Sequence, residues 1–218
     1  MEPILASRIR ELGLVEPRRT AVLAIHWQVD VIAREGVFGK VFANAVEATG
    51  IVPRTRDLLA AARRAGALVV YVNVLYWPGY VGHIRNNALF NAVVDQKGFI
   101  RGTRGVEVVD ELKPAPGDVI VEHSRISAFF GNDLQTILTG HGIETVIATG
   151  VATNVAIDHT IRDAVQLGYK TLLAEDCCCS SSPDYHEAAL KTLRVLATGI
   201  AKSAELIQAL DAASKLPR

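Results

Sequence analysis

Short apolar runs of strand length alternate with stretches of helical period along nearly the whole chain, and this alternation most constrains how the chain can fold. The runs are Ala21–His26, Ala67–Val74, Asp118–Glu122, Thr145–Thr149 and Lys170–Ala174, with a short one near Gly199–Ala201. Most are rich in Val, Ile and Leu and too short for helices, whereas the apolar residues between them recur at helical spacing. Helices are expected from about Phe42 to Arg64, closed by Gly66, and from about Asn154 to Leu167, closed by Gly168. Two more are expected, from Pro183 to about Ala197 and at the C-terminal end. Strands that read as unbroken apolar runs, each separated by a helix, predict a parallel sheet buried on both faces. The expected fold is α/β: a three-layer, doubly wound, Rossmann-like and mostly parallel sheet of about six strands, forming a single domain over 1–218.

Charge and cysteine content narrow the possible partners. The 23 basic and 23 acidic side chains cancel, which excludes the basic footprint of a nucleic-acid binder. No uninterrupted apolar run reaches the roughly 18 residues of a membrane span, and the first residues lack the apolar core of a signal peptide. Neither membrane insertion nor export is expected. The cysteines are consecutive, Cys177, Cys178 and Cys179, and match neither a disulfide framework nor a zinc site. A reducing, cytoplasmic setting follows, with the CCCSSS patch expected as a turn after the fifth strand and its thiols acting as small buried hydrophobes.

In a doubly wound sheet the ligand crevice lies outside the carboxyl ends of the strands. The segments to interrogate are therefore His26 to Asp30, Asn73 to Trp77, His123 to Phe129 and Gly150 to Ala156. The long stretch through Trp77 and on to Gly98–Gly105 is expected to be irregular and to wall the crevice. Three strand-end segments, Ala21–Asp30, Ile126–Leu134 and the G-V-A-T-N run of Gly150–Ala164, resemble the isochorismatase-like cysteine hydrolases. That superfamily includes nicotinamidases, N-carbamoylsarcosine amidases, ureidoacrylate and biuret amidohydrolases, and isochorismatase. Gly168-Tyr169 and Asp176 fit it as well.

The resemblance implies an Asp after the first strand, a Lys after the third, and a nucleophilic Cys at the helix start after the fourth. Position by position, this chain has His26, His123 and Ala156 there, while Gln28 keeps its family identity. A methyl group cannot form a thioester, so covalent catalysis through position 156 is closed. Thr153 carries a hydroxyl nearby, but the family has that Thr beside its Cys, which points to structure. Two imidazoles in one crevice can hold one protonated and one neutral ring, the arrangement acid/base chemistry uses, and a pH limb near the histidine range is expected. The pair could also ligate a metal with Asp30. The nicotinamidase-type metal cluster is not matched, since Asn73, Tyr76 and His83 stand in that region. No metal and no cofactor are expected.

The resemblance further implies a cis peptide between Val151 and Ala152, and backbone N–H groups of Ala152 and Ala156 aimed at an oxyanion. Trp27, Trp77, Tyr80 and Phe129 are candidates for an apolar substrate wall, with Gln28 beside them. Arg125 and Arg85 are candidates for a substrate carboxylate. The partner is thus a small molecule, and the resemblance implies a homodimer or homotetramer. Two functions remain open. One is a hydrolase of amide, urea or vinyl-ether type substrates that uses His26 and His123 without covalent catalysis. The other is an inactive pseudoenzyme that binds a small molecule or serves as an oligomeric scaffold.

Overall fold

The computed structural model describes residue 9 and residues 12–215, and within them six strands form one parallel sheet in the order β3-β2-β1-β4-β5-β6. The strands are β1 (Thr20–Ile25), β2 (Leu68–Val74), β3 (Val119–His123), β4 (Thr145–Val151), β5 (Lys170–Cys179) and β6 (Gly199–Ala201). Every residue of β1 and β4 is buried, which is why these runs carry no polar alternation. The edge strand β3 alternates instead, with Ile120 and Glu122 outward and Val121 and His123 buried.

The helices are α1 (Val29–Ile32), α2 (Gly39–Thr49), α3 (Ile51–Ala65), α4 (Ala88–Asp95), α5 (Leu134–Gly140), α6 (Asp158–Gln166), α7 (Pro183–Leu196) and α8 (Ser203–Ala213). One face of the sheet packs Val22, Ala24 and Tyr71 against Leu58 and Leu59 of α3 and Leu206 and Leu210 of α8. The other packs Leu23, Ile25 and Val72 against Leu138 of α5, Ile161 of α6 and Leu193 of α7. Burying such side chains on both faces contributes about 1.5–3 kcal/mol each and fixes the three layers.

Four expectations are corrected. The helix expected from Phe42 to Arg64 is two helices, because Gly50 adopts a left-handed conformation (φ 62°) and accepts no continuation of α2. The stretch expected to be irregular contains α4, started by the Asn87 side chain, which accepts the Phe90 N–H at 2.9 Å. The cysteines form no turn. After a register shift, Cys178 and Cys179 pair with Gly150 and Val151, so β5 runs five residues beyond Ala174. The helix expected from Asn154 opens as a wide turn over Thr153–Ile157 before α6 begins.

Candidate active site

The crevice at the carboxyl ends of the strands is shaped by two unusual backbone positions. His26 follows β1 with φ +59°, its N–H donating to the Val72 carbonyl at 3.0 Å, and this left-handed turn swings the chain off the sheet. Gly150 has φ +138°, and a Cβ there would sit 2.0 Å from the Ile25 carbonyl oxygen. Only glycine lets β4 approach the end of β1 this closely. The next peptide, Val151-Ala152, is cis, as the resemblance implied. The Ala152 carbonyl accepts the N–H groups of Val155 and Ile157, at 3.1 and 3.2 Å, and skips that of Ala156 between them.

His26 and His123 meet across the end of β2, with Nε2 to Nε2 at 2.8 Å and ring centroids 5.0 Å apart. Their proton positions follow from their neighbours. His123 Nδ1 lies 3.0 Å from the Ser127 carbonyl, which can only accept, so Nδ1 carries the proton and Nε2 presents a lone pair. At 2.8 Å one N–H must lie between the two rings, and with His123 protonated at Nδ1 it is His26 Nε2 that donates. Burial pushes the His123 pKa down to about 4, opposed by its bond to Ser127. Burial also holds His26 well below the usual histidine value, reinforced by His123 and opposed by the Val151 carbonyl. Both rings are therefore neutral at pH 7, and the expected limb near the histidine range moves to lower pH. A metal bridging these two nitrogens at about 2.0–2.1 Å from each would hold them farther apart than a hydrogen bond does.

His26 lines a cavity of ≈ 100 Å³, together with Ala152, Ala156 and Arg125 from the expected set. His123 lies behind it. The remaining walls are apolar: Phe38 and Phe42 around the start of α2, Leu89, Phe90 and Val93 of α4, Phe99, and Tyr76 after β2. Several of these residues sit on connecting segments, where no strand or helix period marks them in advance. A space of this size suits a small ligand of roughly ten non-hydrogen atoms.

Five residues expected at this wall stand elsewhere. Trp27 is fully buried in the sheet, its indole N–H donating to Thr149 Oγ1 at 3.3 Å. Gln28 is a structural clamp: its amide oxygen accepts the Val74 N–H, and its NH₂ donates to the carbonyls of Val74 and Val106. Trp77 is 58% exposed under the Arg101 guanidinium. Tyr80 donates to the Gly98 carbonyl at 2.9 Å, and Phe129 stacks on Tyr169. Side chains that follow a strand end alternate between core and crevice, and these took the core or the surface. Arg85 pairs with Asp95 at 2.6 Å.

Asp30, considered as a metal ligand, accepts the Phe99 N–H at 2.7 Å and that of Val37 at 3.4 Å. Thr153 is buried, its hydroxyl 2.8 Å from His186 Nδ1. Burial raises all three thiols, Cys177 and Cys179 to about 12, so none is a ready nucleophile. Among the described residues no helix is long and apolar enough to cross a membrane.

An isochorismatase domain model matches residues 20–205. The ureidoacrylate amidohydrolase RutB of Caulobacter vibrioides is 31% identical over 187 residues, covering 80% of this chain and 83% of its own. A cysteine hydrolase from Pseudomonas syringae pv. phaseolicola superposes with a TM-score of 0.83 at 28% identity, covering 92% of this chain and 96% of its own. N-carbamoylsarcosine amidase from Thermoplasma acidophilum gives 0.69 at 25% identity, covering 85% and 96%.

Proposed function

We propose, for a chain that belongs to the isochorismatase domain family and is an isochorismatase-fold hydrolase, that it cleaves a small amide or ureido substrate by direct attack of water. The carrying observation is the His26–His123 contact of 2.8 Å at the wall of a cavity that also contains Ala152 and Ala156. In this reading the triad positions of the family hold His26, His123 and Ala156. With no sulfur at position 156, the nucleophile is water rather than the protein.

His26 Nδ1 takes a proton from that water while the new C–O bond forms at the substrate carbonyl. His26 Nε2 passes its proton to His123 Nε2, so the positive charge spreads over both rings and onto the bond to the Ser127 carbonyl. The carbonyl oxygen, now negative, is held by the N–H groups of Ala152 and Ala156. Collapse breaks the C–N bond, and the proton returns from the pair to the departing nitrogen. Overall one water is consumed and one amine or ammonia released.

Two neutral rings suit this base role and have no readily lost proton for the first step of vinyl-ether cleavage, so that substrate type is disfavoured. The name of the RutB relative points the same way, toward an amide bond. The pseudoenzyme alternative would be favoured by rings turned into the core, whereas His26 lines the cavity.

The test is product release from small ureido compounds, amides and enol ethers. Turnover of the first two classes is expected, with His26→Gln slower by about 10²–10⁴-fold. Iodoacetamide under native conditions should leave the rate unchanged. Loss of activity through a modified cysteine, or an unimpaired His26→Gln enzyme, overturns the mechanism; absence of turnover across all three classes returns the reading to a binding protein.

A further inference from the structure

Four buried hydrogen bonds lead head to tail from the imidazole pair to Ala156 in the cavity wall. His26 Nε2 donates to His123 Nε2 at 2.8 Å, and His123 Nδ1 donates to the Ser127 carbonyl at 3.0 Å. The N–H of that same peptide, on Ala128, donates to Thr160 Oγ1 at 3.0 Å. The Thr160 hydroxyl in turn donates to the Ala156 carbonyl at 2.7 Å. Ala128 and Thr160 are completely buried, so neither group can exchange its partner for bulk water.

A threonine hydroxyl bonded to the carbonyl four residues back is common inside helices. Here the same oxygen also accepts an N–H from the turn after β3, 32 residues away in sequence. An N–H only donates and a carbonyl only accepts, so the side chain between Ala128 and Ala156 must do both, and a hydroxyl does. Bonds within the turn keep its own shape: the Ser127 carbonyl also accepts the Phe130 N–H at 3.2 Å, and the Asn132 amide donates to the Ala128 carbonyl at 2.8 Å. Thr160 ties that turn to α6, and so sets where the Ser127 carbonyl stands beside His123.

That carbonyl decides which nitrogen of His123 carries the proton. With the carbonyl displaced, His123 is free to protonate at Nε2, and two N–H groups would then face each other across 2.8 Å. His26 would have to shed its Nε2 proton or turn away, and the pair would lose the order in which it takes up a proton. We propose that Thr160 is a positioning residue that fixes this proton order through the Ser127–Ala128 peptide and holds Ala156 in register with it. Its consequence for the rate rests on the hydrolase reading above; the tautomer does not.

Nitrogen-15 NMR of the histidine side chains, at neutral pH and without substrate, reads the tautomer directly. Wild type should show His123 protonated at Nδ1 and bare at Nε2. Thr160→Val, of the same shape without the hydroxyl, should populate the Nε2-protonated form, and Thr160→Ser should restore the wild-type pattern. Thr160→Cys, a weak donor and weak acceptor, should show a mixture and decides the matter if the stranded Ala128 N–H keeps the valine variant from folding. With a small amide or ureido compound, Thr160→Val should lower kcat by about tenfold or more while KM stays within about twofold, and Thr160→Ser should recover the rate. Wild-type His123 protonated at Nε2, a wild-type tautomer retained in Thr160→Val or Thr160→Cys, or a serine variant as altered as the valine one would each overturn the proposal. The expected spectra without turnover by any of the proteins would uphold the assigned proton order and count against the hydrolase reading alone.

Discussion

Acidification should destabilise this protein because the fold buries two imidazoles in neutral form. The His123 pKa is pushed down to about 4 in the folded chain, while an unfolded histidine titrates near 6.5. The unfolded chain therefore binds more protons in this window, and stability rises with pH through it. The stabilisation is complete above about pH 6.5 and is lost as pH falls toward 4. Between pH 7.5 and 5 the unfolded state gains about 2 kcal/mol from protonating this one group, and the folded state gains almost nothing. His26, also held low, adds in the same direction. The control is His123→Gln, which keeps a donor for the Ser127 carbonyl and an acceptor for His26 but does not titrate. Urea unfolding of both proteins at several pH values should show wild type losing about 2 kcal/mol more than the variant from pH 7.5 to 5. Half-buried His186, also lowered by burial, titrates in both proteins and cancels. Parallel pH dependence in the two proteins would refute the reasoning, since it would mean that His123 is free to take a proton in the folded state.

Two further substitutions probe how the backbone builds the site. Gly150→Ala places a Cβ 2.0 Å from the Ile25 carbonyl oxygen at φ +138°, and should cost at least about 3 kcal/mol in chemical unfolding or prevent folding. Asp30→Ala strands the buried Phe99 N–H and should cost about 2 kcal/mol. Because Phe99 walls the cavity, the same variant should raise KM more than it lowers kcat.

The sheet was legible in the sequence because its central strands, Thr20–Ile25 and Thr145–Val151, are buried on both faces and so show as the mostly apolar runs Ala21–His26 and Thr145–Thr149. The crevice was legible for the same reason, since a parallel sheet puts its ligands at the strand ends. His26 and His123 could therefore be brought together before any coordinates. What stayed hidden depends on direction and on loops. Whether Trp27 or His26 faces the crevice is decided by one left-handed residue, and Gln28 was claimed by the Val74 backbone rather than by a ligand. Phe38, Phe42 and Phe99 reach the cavity through turns held by the Asp30 carboxylate and by Gly36 and Gly39 pressed against backbone, and no periodicity announces such contacts. The cysteine run reads locally as a turn, because strand pairing resumes only after a bulge that a local pattern does not register.

The most direct measurement is the dependence of kcat/KM on pH for hydrolysis of a small ureido or amide compound by the wild-type enzyme. A neutral His26–His123 pair acting as base gives a rate that is level through neutrality and falls only in acid, with a midpoint well below 6.5. A midpoint at or above 6.5, or a rate that climbs as the solution is acidified, would contradict it.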